Sequence, residues 1–371
     1  MNDKITVLHI VPSVSGYGAE RLVVELLKNL ASPQINVALL TIYETPEETR
    51  AALPFPIHSA RRKHRHDRLF FYRLVREIRS CKPDVVHTHT HVGKYWGRFA
   101  AMVAGARTII HTEHNPCDFR RTPLERVSDW LLHRGTSRVV TFFAEQGDAI
   151  VRRENLPAHK LVIIPNAVRP CEQRNDCQAA RDVLSLERDD FAIMVIGRME
   201  YQKNHILALR AFAALPATLR DRALLLFAGS GKDEEVLRGL SHALAIGHRV
   251  RFLGYRSDLA ALINGADLVL MTSWFEGMPL ALLEAMIAGV PIVTTPWIGA
   301  RNMFDNGRLG FITAGFAPDE VAAAIERAIA RPKIRANVAA RAKQHVDATY
   351  DMAKMIDAHQ QLYLQACGKA A

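Results

Sequence analysis

A chain of 371 residues, 49% of them apolar and 23% charged, has room for two domains of ordinary size and is too apolar to be a disordered or fibrous protein. No run approaches the roughly 18 apolar residues of a membrane span, and Ile5–Val11 is too short for a signal peptide, so a cytoplasmic protein, or one peripheral on the cytoplasmic face of a membrane, is expected. Residues 1–170 hold 25 Lys and Arg against 16 Asp and Glu, and residues 171–371 hold 23 against 22, so the net positive charge of +10 lies almost wholly in the first half.

That half suits an anionic membrane surface, a phosphorylated acceptor or nucleic acid. No zinc-finger, bZIP or RRM pattern accompanies it, and nucleic acid is not the expectation. The cysteines at 81, 117, 171, 177 and 367 are odd in number and form no Cys-x-x-Cys and no zinc spacing with histidine, which points to free thiols in a reducing compartment.

The first elements alternate. Lys4–Val11 reads as a buried strand and Glu20–Leu30 as a helix with Leu22, Val23, Leu26, Leu27 and Leu30 on one face. Gly16 and Gly18 lie between them, at a strand-to-helix turn where backbone N–H groups can approach a phosphate, or where the chain simply turns. Strand Ile35–Thr41, helix Leu69–Ser80, strand Asp84–His87, helix Lys94–Ala104, strand Arg107–His111, helix Leu124–Arg134 and strands Val139–Phe142 and Leu161–Ile164 follow. Apolar strands alternating with helices predict a parallel sheet covered on both faces, with ligands beyond the carboxyl ends of its strands. Loops Ser13–Ala19, Thr88–Gly93 and Thr112–Asp118 are therefore placed in a cleft.

His114, in His111-Thr-Glu-His114-Asn, lies in the last of these loops as a structural residue or a ligand contact. His87, His89 and His91 alternate along one strand direction, so they either line the cleft, the reading preferred here, or share a face as metal ligands. The basic run Arg61–Arg68 is a solvated loop or a contact surface. Phe119–Arg134 mixes basic residues with Trp130 and Leu131; it suits an anionic bilayer, or Leu124, Val127 and Leu131 pack against the sheet.

From Pro165 to about Asp189 the apolar pattern lapses, and the stretch reads as a linker. Alternation restarts with strands Phe191–Ile196, Ala223–Phe227, Val250–Leu253, Asp267–Met271 and Pro291–Thr294 and helices Ile206–Ala213, Glu234–Ala245 and Leu259–Gly265. Arg198 and Lys203, just past the first of these strands, can hold two phosphates. Gly229-Ser-Gly231-Lys232 lacks the spacing of a P-loop. The tail Ile334–Leu364 is helical by period.

The stretch Trp274-Phe-Glu276-Gly-Met-Pro279-Leu-Ala-Leu-Leu-Glu284 carries the most information. Pro279 suits a first helical turn and Gly289 a C′ position, so a helix from about Pro279 to Ala288 is expected. It is apolar nearly all round, which predicts burial, and a buried Glu284 needs a partner inside the protein or on a ligand. The interval from Glu276 to Glu284 would be about 12 Å if helical throughout, wider than the about 5–9.5 Å of a glycosidase pair. Two grips on one long ligand fit better than an acid/base couple.

Glu-x7-Glu in this setting resembles the signature of retaining family-4 glycosyltransferases with the GT-B fold: two Rossmann-like, doubly wound parallel-sheet domains facing a central cleft. Nearly the whole chain takes part, in order: glycine loop, cleft histidine, Arg-x4-Lys pair, glycine turn, Glu-x7-Glu. The resemblance implies an acceptor-binding domain 1–170, a donor-binding domain 171–349 and a last helix, about 350–364, returning to the first domain.

The same resemblance implies a hexosyltransferase-type reaction with retention from a nucleotide-diphosphate sugar, UDP favoured over GDP, to a glycan or lipid-linked acceptor hydroxyl. It places Gly16 and Gly18 at the donor diphosphate, His114 and Glu276 at the donor sugar, and Glu284 at the ribose. Arg198 and Lys203 fall at the diphosphate with the backbone of Gly277, Met278, Pro279 and Leu280, and Gly254 at the nucleobase. The donor is a substrate, and no metal or other cofactor is expected. Two rivals stand: a silent sugar-nucleotide or glycan-binding protein of the same fold, and a Rossmann oxidoreductase, which lacks its full Gly-x-Gly-x-x-Gly and its acid after the second strand.

Overall fold

A computed structural model of the chain describes residues 4–14, 18–64, 66, 67, 69–115, 122–168 and 177–369. The chain divides into two compact units, Met1–Asn166 with Met352–Ala371, and Ala167–Asp351.

The first unit is built on seven parallel strands, β1 (Ile5–Val11), β2 (Ile35–Thr41), β3 (Ile57–Ser59), β4 (Val85–His89), β5 (Thr108–Thr112), β6 (Arg138–Thr141) and β7 (Leu161–Ile163), in the order β3-β2-β1-β4-β5-β6-β7. Burial on both faces explains the unbroken apolar runs: in β1 every residue but Thr6 is buried. The chain leaves β1 toward β2 on one side, while β4 pairs with β1 on the other. The carboxyl ends of β1 and β4 therefore flank the point where strand order reverses, where open α/β sheets bind ligands.

The second unit repeats the plan with β8 (Phe191–Ile196), β9 (Ala223–Ala228), β10 (Val250–Gly254), β11 (Leu268–Met271), β12 (Ile292–Thr294) and β13 (Phe311–Ile312), in the order β10-β9-β8-β11-β12-β13. Its switch point lies between β8 and β11. The core beneath joins Ile193, Val195, Leu225, Phe227, Leu268 and Leu270 to Phe212 and Ile325 on the covering helices.

Several elements differ from expectation. The linker reading fails from Cys177 onward: Cys177–Val183 is a helix, and Arg181 ties it to the sheet through Asp267 at 3.2 Å and the Asp190 carbonyl at 2.9 Å. The expected helix Lys94–Ala104 begins as a π-helix, Gly93–Gly97, before α geometry sets in at Arg98. The tail is two helices, Pro332–Thr349 and Met352–Ala366, and the second belongs to the first unit, where Gln360 donates to the Leu30 carbonyl at 3.1 Å. Strands β3 and β13 and helices Glu47–Ala51, Ala144–Glu154 and Pro318–Ala330 add to the expected set. Among the described residues, Cys81, Cys177 and Cys367 are free thiols; Cys117, Cys171 and Gly16 lie outside them.

Candidate functional site

In the second unit three loops close over the ends of β8, β9 and β10, and glycine makes this possible. Gly197, Gly229 and Gly254 all have positive φ, at 144°, 151° and 66°. Gly229 donates to the Gly254 carbonyl at 2.8 Å, and a Cβ on Gly229 would stand 2.0 Å from the Gly197 carbonyl oxygen. Gly231 is held as closely, with Met199 O 2.3 Å from where its Cβ would be. The predicted glycine turn is thus a backbone-on-backbone contact.

Across the switch point, the loop after β8 is stitched to the loop after β11. Trp274 N donates to Gln202 O at 2.9 Å, the Thr272 hydroxyl donates to Asn204 O at 3.0 Å, and Gln202 Nε2 donates to Phe275 O at 3.0 Å. Glu276 lies in the second loop, ahead of the helix Leu280–Ile287, and is 5% exposed. Its Oε1 accepts from Lys203 Nζ at 2.7 Å and from the Ser273 hydroxyl at 2.6 Å, and Gln202 Nε2 reaches Oε2 at 3.4 Å. Arg198 is more open and pairs with Glu200 at 2.9 Å.

Glu284 departs from the burial expected of it, and Glu276 is the buried one of the two. Glu284 is half-buried, because the helix hides Leu282, Leu283, Ala285, Met286 and Ile287 and turns Leu280, Ala281 and Glu284 toward its open side. An all-round apolar composition concealed a short polar edge. Pro279 is the N-cap rather than the first helical residue, and Gly289 takes the C′ position with φ 71°. The structure places Arg198 and Lys203 on one loop and Glu276, Gly277, Met278, Pro279, Leu280 and Glu284 on the adjoining loop and helix, the two joined at Lys203 and Glu276. Gly254, at the end of β10, joins the neighbouring Gly229 loop.

In the first unit Gly18 opens the helix Gly18–Leu30 with φ 27°, and a Cβ there would meet nothing within 4 Å. His114 follows β5 and is the outer member of a buried set of imidazoles. His89 Nδ1 lies 3.2 Å from His114 Nε2, His9 Nδ1 lies 2.9 Å from His89 Nε2, and the Tyr363 hydroxyl lies 3.3 Å from His9 Nε2 and 2.7 Å from His87 Nδ1. His87 Nε2 ends the series 2.7 Å from the Thr112 hydroxyl. Burial lowers every one of these imidazoles, His9 to about 3 and His114 to about 4, and holds His87 and His89 well below the ordinary value, so all are neutral near pH 7.

His87, His89 and His91 do not share a face: His87 and His89 are buried, and the metal-ligand alternative for the three does not form. The strand ends at His89, Thr90 turns with φ 62°, and His91 points outward toward Glu125 at 3.9 Å. His9, hidden in the apolar run of β1, takes its place: His9, His87 and His89 each present a ring nitrogen within 4.8 Å of the others, close enough for a metal ion. Hydrogen bonds among themselves and to Tyr363 already engage those nitrogens. Asp129, His133 and Glu154 form a second close group.

That second group belongs to a buried ionic knot which holds the loop carrying His114. Lys94 Nζ binds Glu113 Oε2 at 2.7 Å and Glu154 Oε1 at 2.8 Å, and His133 Nε2 lies 3.0 Å from Glu154 Oε2. Burial alone would raise the Glu113 carboxyl, but the Lys94 ammonium and His111 overturn this and hold it well below the usual range. Sequence reasoning misses Lys94, Glu113, His9 and Tyr363. A lone His inside an apolar strand is the single available signal.

Helix Pro123–Gly135 does not pack Leu124, Val127 and Leu131 against the sheet. It hides Asp129, Leu132 and His133 instead of the expected apolar residues, leaving Leu124 75% and Val127 61% exposed together with Trp130 and Leu131. The Arg134 guanidinium lies 3.5 Å from the Trp130 ring centroid. In the basic run, Arg62 stacks on Phe70 at 4.5 Å, and Arg73 pairs with Asp67.

Comparison with known proteins gives the family and the fold. Residues 17–171 match the family described as Glycosyltransferase Family 4, and residues 177–345 match Glycosyl transferases group 1. The UDP-Gal:alpha-D-GlcNAc-diphosphoundecaprenol alpha-1,3-galactosyltransferase of Escherichia coli is 27% identical over 254 residues, 64% of this chain and 64% of that protein. The D-inositol 3-phosphate glycosyltransferase of Mycobacterium tuberculosis is 28% identical over 305 residues, 77% of this chain and 62% of that protein, so the chain spans less than two thirds of either relative. Anabaena HepE in complex with UDP-glucose superimposes with a TM-score of 0.84 at 20% identity, covering 98% of this chain and 100% of that one. WaaG, a glycosyltransferase involved in lipopolysaccharide biosynthesis, gives 0.77 at 17%, covering 96% and 99%. At these identities the likeness establishes the fold, which is GT-B.

Proposed function

Because the chain belongs to glycosyltransferase family 4, we propose that it is a retaining transferase that moves a sugar from a nucleotide-diphosphate donor, UDP-linked in preference to GDP-linked, to an acceptor hydroxyl. The acceptor proposed is a lipid-linked glycan in polysaccharide, lipopolysaccharide or glycolipid synthesis. The observation that carries this reading is the meeting of Lys203, on the loop that also carries Arg198, with Glu276 at the β8/β11 switch point. The E. coli relative named for a UDP-Gal donor and a diphosphoundecaprenol-linked acceptor supports the donor and acceptor class.

In this reading Glu284, on the open side of its helix, accepts from the ribose hydroxyls, and Glu276 from hydroxyls of the donor sugar. Arg198 and Lys203 neutralise charge that grows on the departing diphosphate, the largest electrostatic demand of the reaction. The Lys203–Glu276 bond lets one ammonium reach both the sugar-binding carboxylate and the phosphates. His114 is assigned to the donor sugar and Gly18 to the diphosphate.

The bond between the anomeric carbon and the phosphate oxygen breaks while the acceptor oxygen bonds to the same face. The acceptor proton passes to the leaving phosphate, so no covalent sugar–enzyme intermediate forms. Mass spectrometry of enzyme quenched during turnover should find no glycosylated peptide, and a trapped adduct would overturn this mechanism.

The basic first half and the exposed Leu124, Val127, Trp130 and Leu131 support docking on an anionic bilayer. Among the described residues no helix is long and apolar enough to cross a membrane. Flotation with anionic vesicles should recover the protein and lose it when Trp130 and Leu131 are changed to Glu; equal recovery from neutral vesicles contradicts the docking. The transferase reading is tested by turnover: Lys203→Ala and Glu276→Ala should each lower it at least about a hundredfold, and unchanged turnover in either would refute the site.

A further inference from the structure

The imidazoles behind His114 obey a counting rule. A neutral imidazole has one N–H to donate and one bare nitrogen to accept, and a tyrosine hydroxyl has one proton. His114, His89, His9, Tyr363, His87 and Thr112 follow one another through five hydrogen bonds of 2.7–3.3 Å, each ring using one nitrogen for each neighbour. Among the described residues no other hydrogen bond reaches these ring nitrogens or the Tyr363 hydroxyl, and Tyr363 is fully buried. A chain of this kind has only two fully bonded states, with every proton pointing one way or every proton pointing the other.

Both histidines cannot donate to Tyr363 without stranding its proton, and both cannot accept from a single proton. His9 and His87 must therefore share a tautomer. The far end sets which one. Thr112 is 4% exposed, and among the described residues its hydroxyl has no hydrogen-bond partner but His87 Nε2, so donation to that nitrogen is the arrangement that engages its proton. Donation then runs Thr112 to His87, to Tyr363, to His9, to His89, to His114, and every ring carries its proton on Nδ1. Burial keeps the rings uncharged, as the rule requires.

We propose that His89 and His9 are positioning residues for His114, and that the chain running from Thr112 through Tyr363 fixes His114 as an Nδ1–H donor. The two nitrogens of His114 are thus distinguished: Nε2 accepts from His89, and Nδ1 carries the proton and is left to donate elsewhere. A sugar oxygen that accepts a hydrogen bond is favoured there over a hydroxyl that needs an acceptor. The inference rests on the transferase reading only for what His114 touches; the direction of the chain does not depend on it.

Long-range ¹H–¹⁵N spectra of the full-length protein separate protonated from bare ring nitrogens and need no turnover, so the chain is tested independently of the transferase reading. In the wild type His9, His87, His89 and His114 should all be Nδ1–H. Tyr363→Phe removes one oxygen and leaves His9 Nε2 and His87 Nδ1 facing a ring, where a buried orphan N–H is less tolerable than a bare nitrogen. Either tautomer of His87 then strands one proton, its own Nδ1–H or that of Thr112, so His87 should lose its single tautomer while His9 stays Nδ1–H. Mixed tautomers in the wild type, a single unchanged tautomer at His87 in Tyr363→Phe, or a stoichiometric metal ion bound at His9, His87 and His89 would each overturn the chain. For the positioning role, His89→Leu should lower kcat on the order of tenfold; if His114→Ala abolishes transfer and His89→Leu leaves kcat unchanged, the chain is structural only.

Discussion

Glu276 and Glu284 show how a side chain's surroundings depart from its sequence neighbourhood. Glu276 sits among small and apolar residues in a loop, yet it is the carboxylate drawn inside, because Lys203, Ser273 and Gln202 supply three donors. Removing one partner of a buried pair leaves the other charge uncompensated, so the two should be energetically coupled. A double-mutant cycle of Lys203→Met and Glu276→Gln, read by urea denaturation, should give a coupling energy of about 1–3 kcal/mol. Additive single effects would mean that the pair does not hold the two loops together. The identities of Arg198, Lys203, Glu276 and Glu284 were legible as a motif, but which glutamate is buried depends on where a loop 73 residues away returns.

At the scale of elements, long apolar strands and amphipathic helices were readable because each satisfies one period over enough residues. Strands β2 and β8 fall where their apolar runs begin and end. The short β3 and β13 lie at the sheet edges with half-buried residues, so neither has an apolar run to betray it. The π-helix at Gly93–Gly97 answers to the buried ionic knot around Lys94, a tertiary demand with no local pattern.

The glycine loops invite a graded test. Gly229→Ala puts a methyl 2.0 Å from the Gly197 carbonyl oxygen at φ 151°, whereas Gly254→Ala meets nothing within 4 Å at φ 66°. Backbone strain alone costs about 1–2 kcal/mol for a non-glycine residue in the left-handed region, and only Gly229 adds a collision. Denaturation should find Gly254→Ala near that cost and Gly229→Ala well beyond it; equal losses contradict the backbone contact.

On the scale of the whole molecule, the sequence disclosed two parallel-sheet units and the family, since alternation and motif order run the length of the chain. It did not disclose the buried polar interior of the first unit, whose members come from β1, β4, β5 and the C-terminal helix. His9, His111, His114 and His359 are lowered to about 3, 4, 4 and 4, mainly by burial. Folded values below the unfolded value near 6.5 mean that the unfolded chain takes up protons first as pH falls. Stability is then complete above about pH 6.5 and declines toward pH 4, by about 1.4 kcal/mol per pH unit for each histidine in that window. A urea midpoint that stays flat from pH 7 to pH 5 would contradict neutral buried rings.

The central claim is that Arg198, Lys203, Glu276 and Glu284 form the grip on a nucleotide-diphosphate sugar, and thermal unfolding with UDP, GDP and their sugar conjugates tests it most directly. A ligand at 100 times its dissociation constant stabilises the fold by about 2.7 kcal/mol. The account predicts stabilisation of that size with a UDP-sugar, weaker with its GDP counterpart, and absent in an Arg198→Ala, Glu284→Ala double variant that still folds. No stabilisation of the wild type by any nucleotide diphosphate or sugar conjugate, or full stabilisation of the double variant, would contradict it.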